Sequence, residues 1–330
     1  MTPSNALHDE SGSTHLDSTA HLMDRITSRL GSRLSLISPD GSRRPAPENS
    51  NRRPAPDSSR HPAPHPRHGS RQDPRSRPRP TLVLVPHGSR DPRALATVTA
   101  LAERIREQRP GLDVRLGHIE LNEPLLTETL AAQRGGRAVL VPLLLSRGQH
   151  VKRDIPAAAA DAPHLATRVA APLGPHPMLA AALHSRLVEA GWPARPLSAS
   201  ARRRHAVVLA AAGSRDPRSA ADTGRAAKLL ADRLGVPVVA AYAAPTDACA
   251  RTVPEALAAL AAEGRTRTAV AAYFTAPGRF ATQSASAAPW IAAPPLGAHP
   301  TLARLVLHRY DEARAPDGAW TAEQHRLTAV

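Results

Sequence analysis

Two histidines and a glutamate are the side chains of this chain best placed to do chemistry. His87 lies in Thr81-Leu-Val-Leu-Val-Pro-His87-Gly-Ser-Arg-Asp-Pro-Arg93. Glu120 lies in Leu116-Gly-His-Ile-Glu120-Leu-Asn-Glu-Pro124, and His150 in Ala138-Val-Leu-Val-Pro-Leu-Leu-Leu-Ser-Arg-Gly-Gln-His150. Each histidine follows a short apolar run that reads as a buried parallel strand. Open α/β sheets place ligand sites just beyond the carboxyl ends of their strands. The three residues are 33 and 30 positions apart, one strand-plus-helix unit each. Two imidazoles and a carboxylate bind divalent first-row metals. The same set serves equally as a group of general bases.

The elements that must position these groups can be read from the pattern after Thr81. Strands are expected near 81–86, 112–119, 137–145 and 167–171. Helices are expected near 93–108, 123–133, 151–160 and 176–190. Such alternation implies a parallel sheet with right-handed crossovers. The series then restarts. Ala206-Val-Val-Leu-Ala-Ala-Ala-Gly213-Ser-Arg-Asp-Pro-Arg218 repeats 81–93, with Gly88 and Gly213 offset by 125 residues. Ala269 to Gly278 repeats the run ending at Gly148, offset by 130, and Leu296-Gly-Ala-His-Pro300 repeats Leu173 to Pro177, offset by 123. Three ordered matches at a nearly constant offset mark an internal duplication. The expected domains are 80–197 and 204–315, preceded by an extension over 1–79 and followed by a tail over 316–330.

The two copies differ at the three chemical positions. Ala212 stands opposite His87, Phe280 opposite His150, and Ala244 or its neighbour opposite Glu120. By contrast Ser89, Arg90, Asp91 and Pro92 have the counterparts Ser214, Arg215, Asp216 and Pro217, and His176 has His299. Shared residues are best read as scaffold. The glycines permit a tight turn, and the Ser and Asp residues can cap the following helix. Residues found in the first copy alone are the functional candidates.

Composition narrows the alternatives. Aromatic residues make up 2% of the 330, so base stacking on aromatic platforms is excluded as a main binding mode. The formal charge is +15, which favours an anionic partner. A single cysteine, Cys249, rules out internal disulfides, Cys-rich zinc sites and iron–sulfur clusters. No run approaches a membrane span, and no signal peptide is visible, so a soluble cytoplasmic protein is expected. No dinucleotide-binding glycine motif, P-loop, nucleophile elbow or His-Glu-x-x-His occurs. Residues 41–80 hold ten prolines among many Arg, Ser and His. That composition cannot offset its ordering entropy, so disorder is expected there. A weak amphipathic helix is expected near 14–36. His68, in a near copy of the His87 motif, is expected to do nothing, because prolines rather than a strand precede it.

The His87 motif, the Glu120 segment, Val141-Pro-Leu-Leu-Leu-Ser-Arg-Gly-Gln-His150-Val-Lys-Arg-Asp154-Ile-Pro156 and Pro172-Leu-Gly-Pro-His-Pro177 resemble the sirohydrochlorin chelatases, small class II tetrapyrrole chelatases. The resemblance covers about 81–315 and is strongest in the first copy. It implies an α/β fold of two tandem, similar parallel-sheet domains facing across a cleft. It implies a lyase that inserts Fe²⁺ (for sirohaem) or Co²⁺ (for cobalamin) into sirohydrochlorin with release of two protons, iron being slightly favoured. His87, Glu120 and His150 would then be both metal-binding and catalytic. Arg90, Arg147, Lys152 and Arg153, with Arg93 nearby, would meet the substrate carboxylates. No organic cofactor, nucleic acid or membrane partner is implied, and a monomer is expected. The alternatives are a non-catalytic metal or tetrapyrrole carrier, and a nucleic-acid binder acting through the basic N-terminus.

Deleting residues 1–78 is expected to leave the thermal midpoint and turnover almost unchanged, since such a segment buries little surface. A calorimetric midpoint lowered by several degrees would show instead that the extension docks on the fold.

Overall fold

The computed structural model describes residues 79–314. The extension and tail, with His68 and the helix expected near 14–36, lie outside the described residues.

Within the described residues the first copy runs β1 (Thr81–Val85), α1 (Pro92–Gln108), β2 (Val114–Leu116), α2 (Leu126–Ala131), β3 (Gly136–Pro142), a π-helical turn (His150–Asp154), α3 (Ile155–Ala160), β4 (Leu165–Val169) and α4 (Pro177–Glu189). A short helix, α5 (Ala199–Arg204), leads into the second copy. That copy runs β5 (His205–Ala211), α6 (Pro217–Leu234), β6 (Val238–Tyr242), α7 (Val253–Ala262), β7 (Arg267–Ala272), α8 (Arg279–Ser286), β8 (Ile291–Ala293) and α9 (Pro300–Arg314). Each copy forms a four-stranded, all-parallel sheet, in the orders β2-β1-β3-β4 and β6-β5-β7-β8.

The expected elements are present with shifted ends. The strand expected to 145 stops at Pro142, which has no N–H to continue the ladder; Leu143 still donates to Val85 O at 2.9 Å. The helix expected from 123 begins at Leu126, after Pro124, and the Glu128 carboxylate accepts the Leu125 N–H at 2.9 Å. The scaffold reading is borne out for the shared aspartates and histidines. The Asp91 and Asp216 carboxylates cap α1 and α6, each accepting a backbone N–H at 3.0 Å, from Arg93 and Arg218. His176 Nδ1 accepts from Met178 N–H, and His299 Nδ1 from Thr301 N–H, both at 3.1 Å.

A parallel sheet must be covered on both faces. The outer face of the first sheet is covered by α2 and α3, around Leu126, Leu130 and Ile155, and that of the second by α7, around Val253, Ala256 and Leu260. The inner faces share one continuous core, in which Val98, Leu101 and Ile105 of α1, Leu183 and Leu187 of α4, Leu230 of α6, and Leu305 and Val306 of α9 are buried. Within this core the two last helices are exchanged. α4, from the first copy, packs on α6, β7 and β8, whereas α9, from the second, packs on α1, β3 and β4. Polar contacts fasten the exchange. Arg186 donates to Leu296 O at 2.8 and 3.1 Å, Arg168 to Ala313 O at 2.9 Å, and the Tyr310 hydroxyl to Pro80 O at 2.7 Å. Arg109 grips Asp311 through two bonds of 2.6 and 2.8 Å. No helix among the described residues is long and apolar enough to cross a membrane.

The two histidine caps make stability pH-dependent. Burial holds both imidazoles below their ordinary value, helped by Arg309 near His176 and by Arg186 near His299. The unfolded chain therefore takes up protons first as pH falls. Their contribution is full above the ordinary histidine range, near pH 6.5, and is lost as pH drops through the lower folded values. The thermal midpoint of His176→Asn/His299→Asn, in which asparagine keeps a cap, is expected to fall less between pH 7.5 and 5 than that of the parent. Equal slopes would exclude these caps as the titrating groups.

Candidate active site

His87 sits two residues past the end of β1, and Glu120 four past β2. The two loops are tied together by backbone bonds: Ile119 N–H donates to Pro86 O and Glu120 N–H to His87 O, both at 3.0 Å. Gly88, at φ +105°, makes this approach possible, because a Cβ there would lie 1.8 Å from Glu120 O. Gly213 does the same against Ala244 O, at 2.0 Å, which fixes Ala244 as the counterpart of Glu120. Asn122 Oδ1 accepts the Ser89 N–H at 2.7 Å and closes the loop pair. Between these anchors Leu121 is held at φ +66°, a costly conformation for a bulky side chain.

His150 arrives from the other side of β1, at the start of the π-helical turn after the Leu143–Gln149 loop. Its ring meets that of His87 edge to face, with centroids 4.6 Å apart and planes at 90°. His87 Nδ1 lies 3.5 Å from Glu120 Oε1 and 3.3 Å from Gly88 O. His150 Nδ1 lies 2.6 Å from Asp154 Oδ2. A neutral imidazole that donates its Nδ1–H to such acceptors presents the Nε2 lone pair elsewhere. The two rings thus have their Nδ1 edges engaged and their Nε2 edges available to a metal or a proton.

Both histidines line a cleft of about 1750 Å³ between the carboxyl ends of the two sheets. The opposite wall carries Ala212, Arg215, Arg279 and Phe280 from the second copy. Glu120 contacts His87 but is not part of the cleft wall. Among the described residues no three His, Cys, Asp or Glu side chains converge as a closed metal site. The arrangement is an open pair of imidazoles with a carboxylate beside each. His118 also borders the cleft at 1% exposure, and burial holds its imidazole below the ordinary value despite a bond to Pro124 O.

The basic residues divide into two groups. Arg90 and Arg153 are exposed on the cleft. Arg147 and Lys152 border it as well, but each is engaged by the second copy. Arg147 is bonded to Asp222 and Lys152 to Asp216. Arg93 pairs with its neighbour Asp91 at 2.7 Å. Sequence reasoning did not single out Asp154 or Asp222. Asp154 had a usable signal, since a residue four positions after His150 in a helical turn shares its face. Asp222 had none, because its partner is 75 residues away.

The CbiX family profile matches residues 81–190 and again 206–313, well over half of the chain. The chain is 40% identical over 78 residues to a sirohydrochlorin cobaltochelatase of Methanococcus aeolicus, covering 23% of this chain and 54% of the relative. It is 31% identical over 113 residues to the chloroplastic sirohydrochlorin ferrochelatase of Arabidopsis thaliana, covering 32% and 50%. The chain thus spans about half the length of these curated relatives. Among solved structures, SirB from Bacillus subtilis with Fe³⁺ superposes with a TM-score of 0.58 at 23% identity, over 72% of this chain and 96% of SirB. The structure of CbiX superposes with a TM-score of 0.54 at 21% identity, over 71% and 99%. These structural likenesses show the fold.

Co²⁺ added to the protein is expected to bind at the paired imidazoles and develop a visible absorption band. His87→Ala and His150→Ala should each abolish it. Asp154→Asn should weaken it about 10–100-fold, the usual effect of removing the carboxylate behind a ligating imidazole. Unchanged affinity would leave Asp154 without a role in orienting His150.

Proposed function

The chain belongs to the CbiX family, and from that premise we propose that it inserts Co²⁺ or Fe²⁺ into sirohydrochlorin. The observation that carries this reading is the contact between His87 and His150 on the wall of the cleft, with both Nδ1 edges engaged. The two pyrrole N–H protons of the macrocycle are released, and the metal takes their place between the ring nitrogens. A hydrated dication sheds water before insertion, and two imidazole nitrogens can replace that water without holding the ion in a closed cage. The same two imidazoles, each with Nδ1 engaged, can accept the released protons. Glu120, against His87, stabilises the imidazolium that forms.

The cleft suits a large planar ligand, since its volume exceeds the roughly 300–1,000 Å³ of ordinary small-molecule pockets. Arg90 and Arg153 stand where the substrate carboxylates would pass. Arg147 and Lys152, engaged by Asp222 and Asp216, are less free to do so. Both names among the relatives, cobaltochelatase and ferrochelatase, accord with a pair of imidazole ligands, which suit either ion, the choice following metal supply. A monomer is proposed because one chain supplies both walls of the cleft.

Incubation with sirohydrochlorin and Co²⁺ or Fe²⁺, followed by absorbance, is expected to show multiple turnovers. His87→Ala or His150→Ala should lower the rate at least ~100-fold, the scale of lost acid–base catalysis, while His299→Ala should retain most of it. Arg90→Gln/Arg153→Gln should raise KM more than it lowers kcat, and added salt should do the same. Stoichiometric uptake of metal and tetrapyrrole with no turnover would favour the carrier reading.

A further inference from the structure

The second copy lacks all three chemical residues, yet its polar side chains converge on the loop that delivers His150. Asp222 of α6 is fully buried and accepts three bonds from Arg147: from the backbone N–H at 3.1 Å, from Nε at 3.0 Å and from Nη2 at 2.8 Å. Arg225 supplies a second guanidinium to the same carboxylate. One turn earlier on α6, Ser219 Oγ lies 2.8 Å from Ser146 Oγ. The Tyr273 hydroxyl, just past β7, donates to Leu145 O at 3.1 Å. Asp216, the cap of α6, holds Lys152 beyond His150. Four side chains of the second copy therefore hold residues 145, 146, 147 and 152, on both sides of His150.

This grip runs in one direction. At the repeat offsets, Asp222 corresponds to Thr97, Ser219 to Ala94 and Tyr273 to Leu143. In the second copy's own loop, Ser146 corresponds to Ala276 and Arg147 to Pro277. Asp222, Ser219 and Tyr273 thus have no reciprocal equivalents, and neither do Ser146 and Arg147; of the four holding side chains Asp216 alone recurs, as Asp91. The asymmetry matches that of the chemical residues: the copy bearing His150 has its loop held, and the copy without it does the holding. Burial pushes the Asp222 carboxyl up, and the bonds and charge of Arg147 and Arg225 more than reverse this, leaving it below its ordinary value. The clamp is therefore charged on both sides at neutral pH. A buried carboxylate left without its partner is strongly unfavourable, which favours the closed arrangement.

We propose that Asp222 is a positioning residue of the site: by gripping Arg147 it fixes the Leu143–Gln149 loop and sets His150 against His87. This rests on the chelatase reading above, and it gives the second copy a mechanical task. Arg147 then belongs to the clamp rather than to substrate binding.

A double-mutant cycle tests the idea in the full-length protein. Asp222→Asn, Arg147→Gln and the combination are compared for kcat, KM, Co²⁺ affinity and hydrogen exchange of residues 144–150. Each single variant is expected to lower kcat about 10–100-fold, the scale of a misplacement of about 1 Å at a reacting group. The double variant should be no worse than either single, because the two residues act as one unit. KM should change little. Additive losses, an effect confined to KM, or a parent-like kcat would overturn the proposal. Should Asp222→Asn not fold, Arg147→Gln and Ser219→Ala, which leave Asp222 paired with Arg225, decide by the same criteria. If the parent protein itself shows no metal insertion, the chelatase reading falls alone. Faster exchange at 144–150 with weaker Co²⁺ binding in Arg147→Gln then still supports the clamp, and unchanged exchange overturns it.

Discussion

A parallel sheet of apolar strands needs cover on both faces, and in this chain the two sheets satisfy that need together. Each is only four strands wide. Their inner faces are closed by a common helical layer to which each copy contributes its last helix in exchange for that of the other. Fully burying a Leu or Val side chain stabilises by about 1.5–3 kcal/mol, and the exchanged helices carry Leu183, Leu187, Leu305 and Val306 into that layer. Neither copy can keep its core without the other. The shared core fixes the carboxyl ends of both sheets at the two walls of one cleft.

That rigidity is what an open pair of imidazoles requires. His87 and His150 touch through their rings, but no third ligand closes on them among the described residues. Their placement has to come from outside the pair. His87 is held by the β1 loop, which Gly88 allows to lie directly on Glu120 O. His150 is held by Asp154 on its own turn and by the loop before it, which is anchored in the other copy. The two histidines thus have different kinds of support, local for one and distant for the other.

Duplication followed by divergence explains the division of labour. The caps at Asp91 and Asp216, the glycines at 88 and 213, and the histidines at 176 and 299 recur with the same geometry because the fold needs them twice. His87, Glu120 and His150 occur once, in the first copy. Of the clamp groups, Asp222, Ser219 and Tyr273 also occur once, on the opposite copy.

The sequence by itself determined the class of fold, the duplication and the candidate residues, of which His87 and His150 meet on the cleft. Those properties rest on local patterns: apolar runs of strand length, caps at fixed offsets, and a comparison of two copies position by position. Element ends shifted from expectation, at Pro142 for β3 and after Pro124 for α2, and β2 is shorter than its apolar run. Tertiary structure alone decided the exchange of the last helices, because an apolar helix face does not by its sequence name the sheet it will cover. It also decided the fate of the basic residues. In sequence Arg147 and Lys152 look as free as Arg90 and Arg153; in the fold they meet Asp222 and Asp216, which lie 75 and 64 residues away. A charge has no periodicity that announces its partner, so the pairing becomes visible only when the two copies share a core.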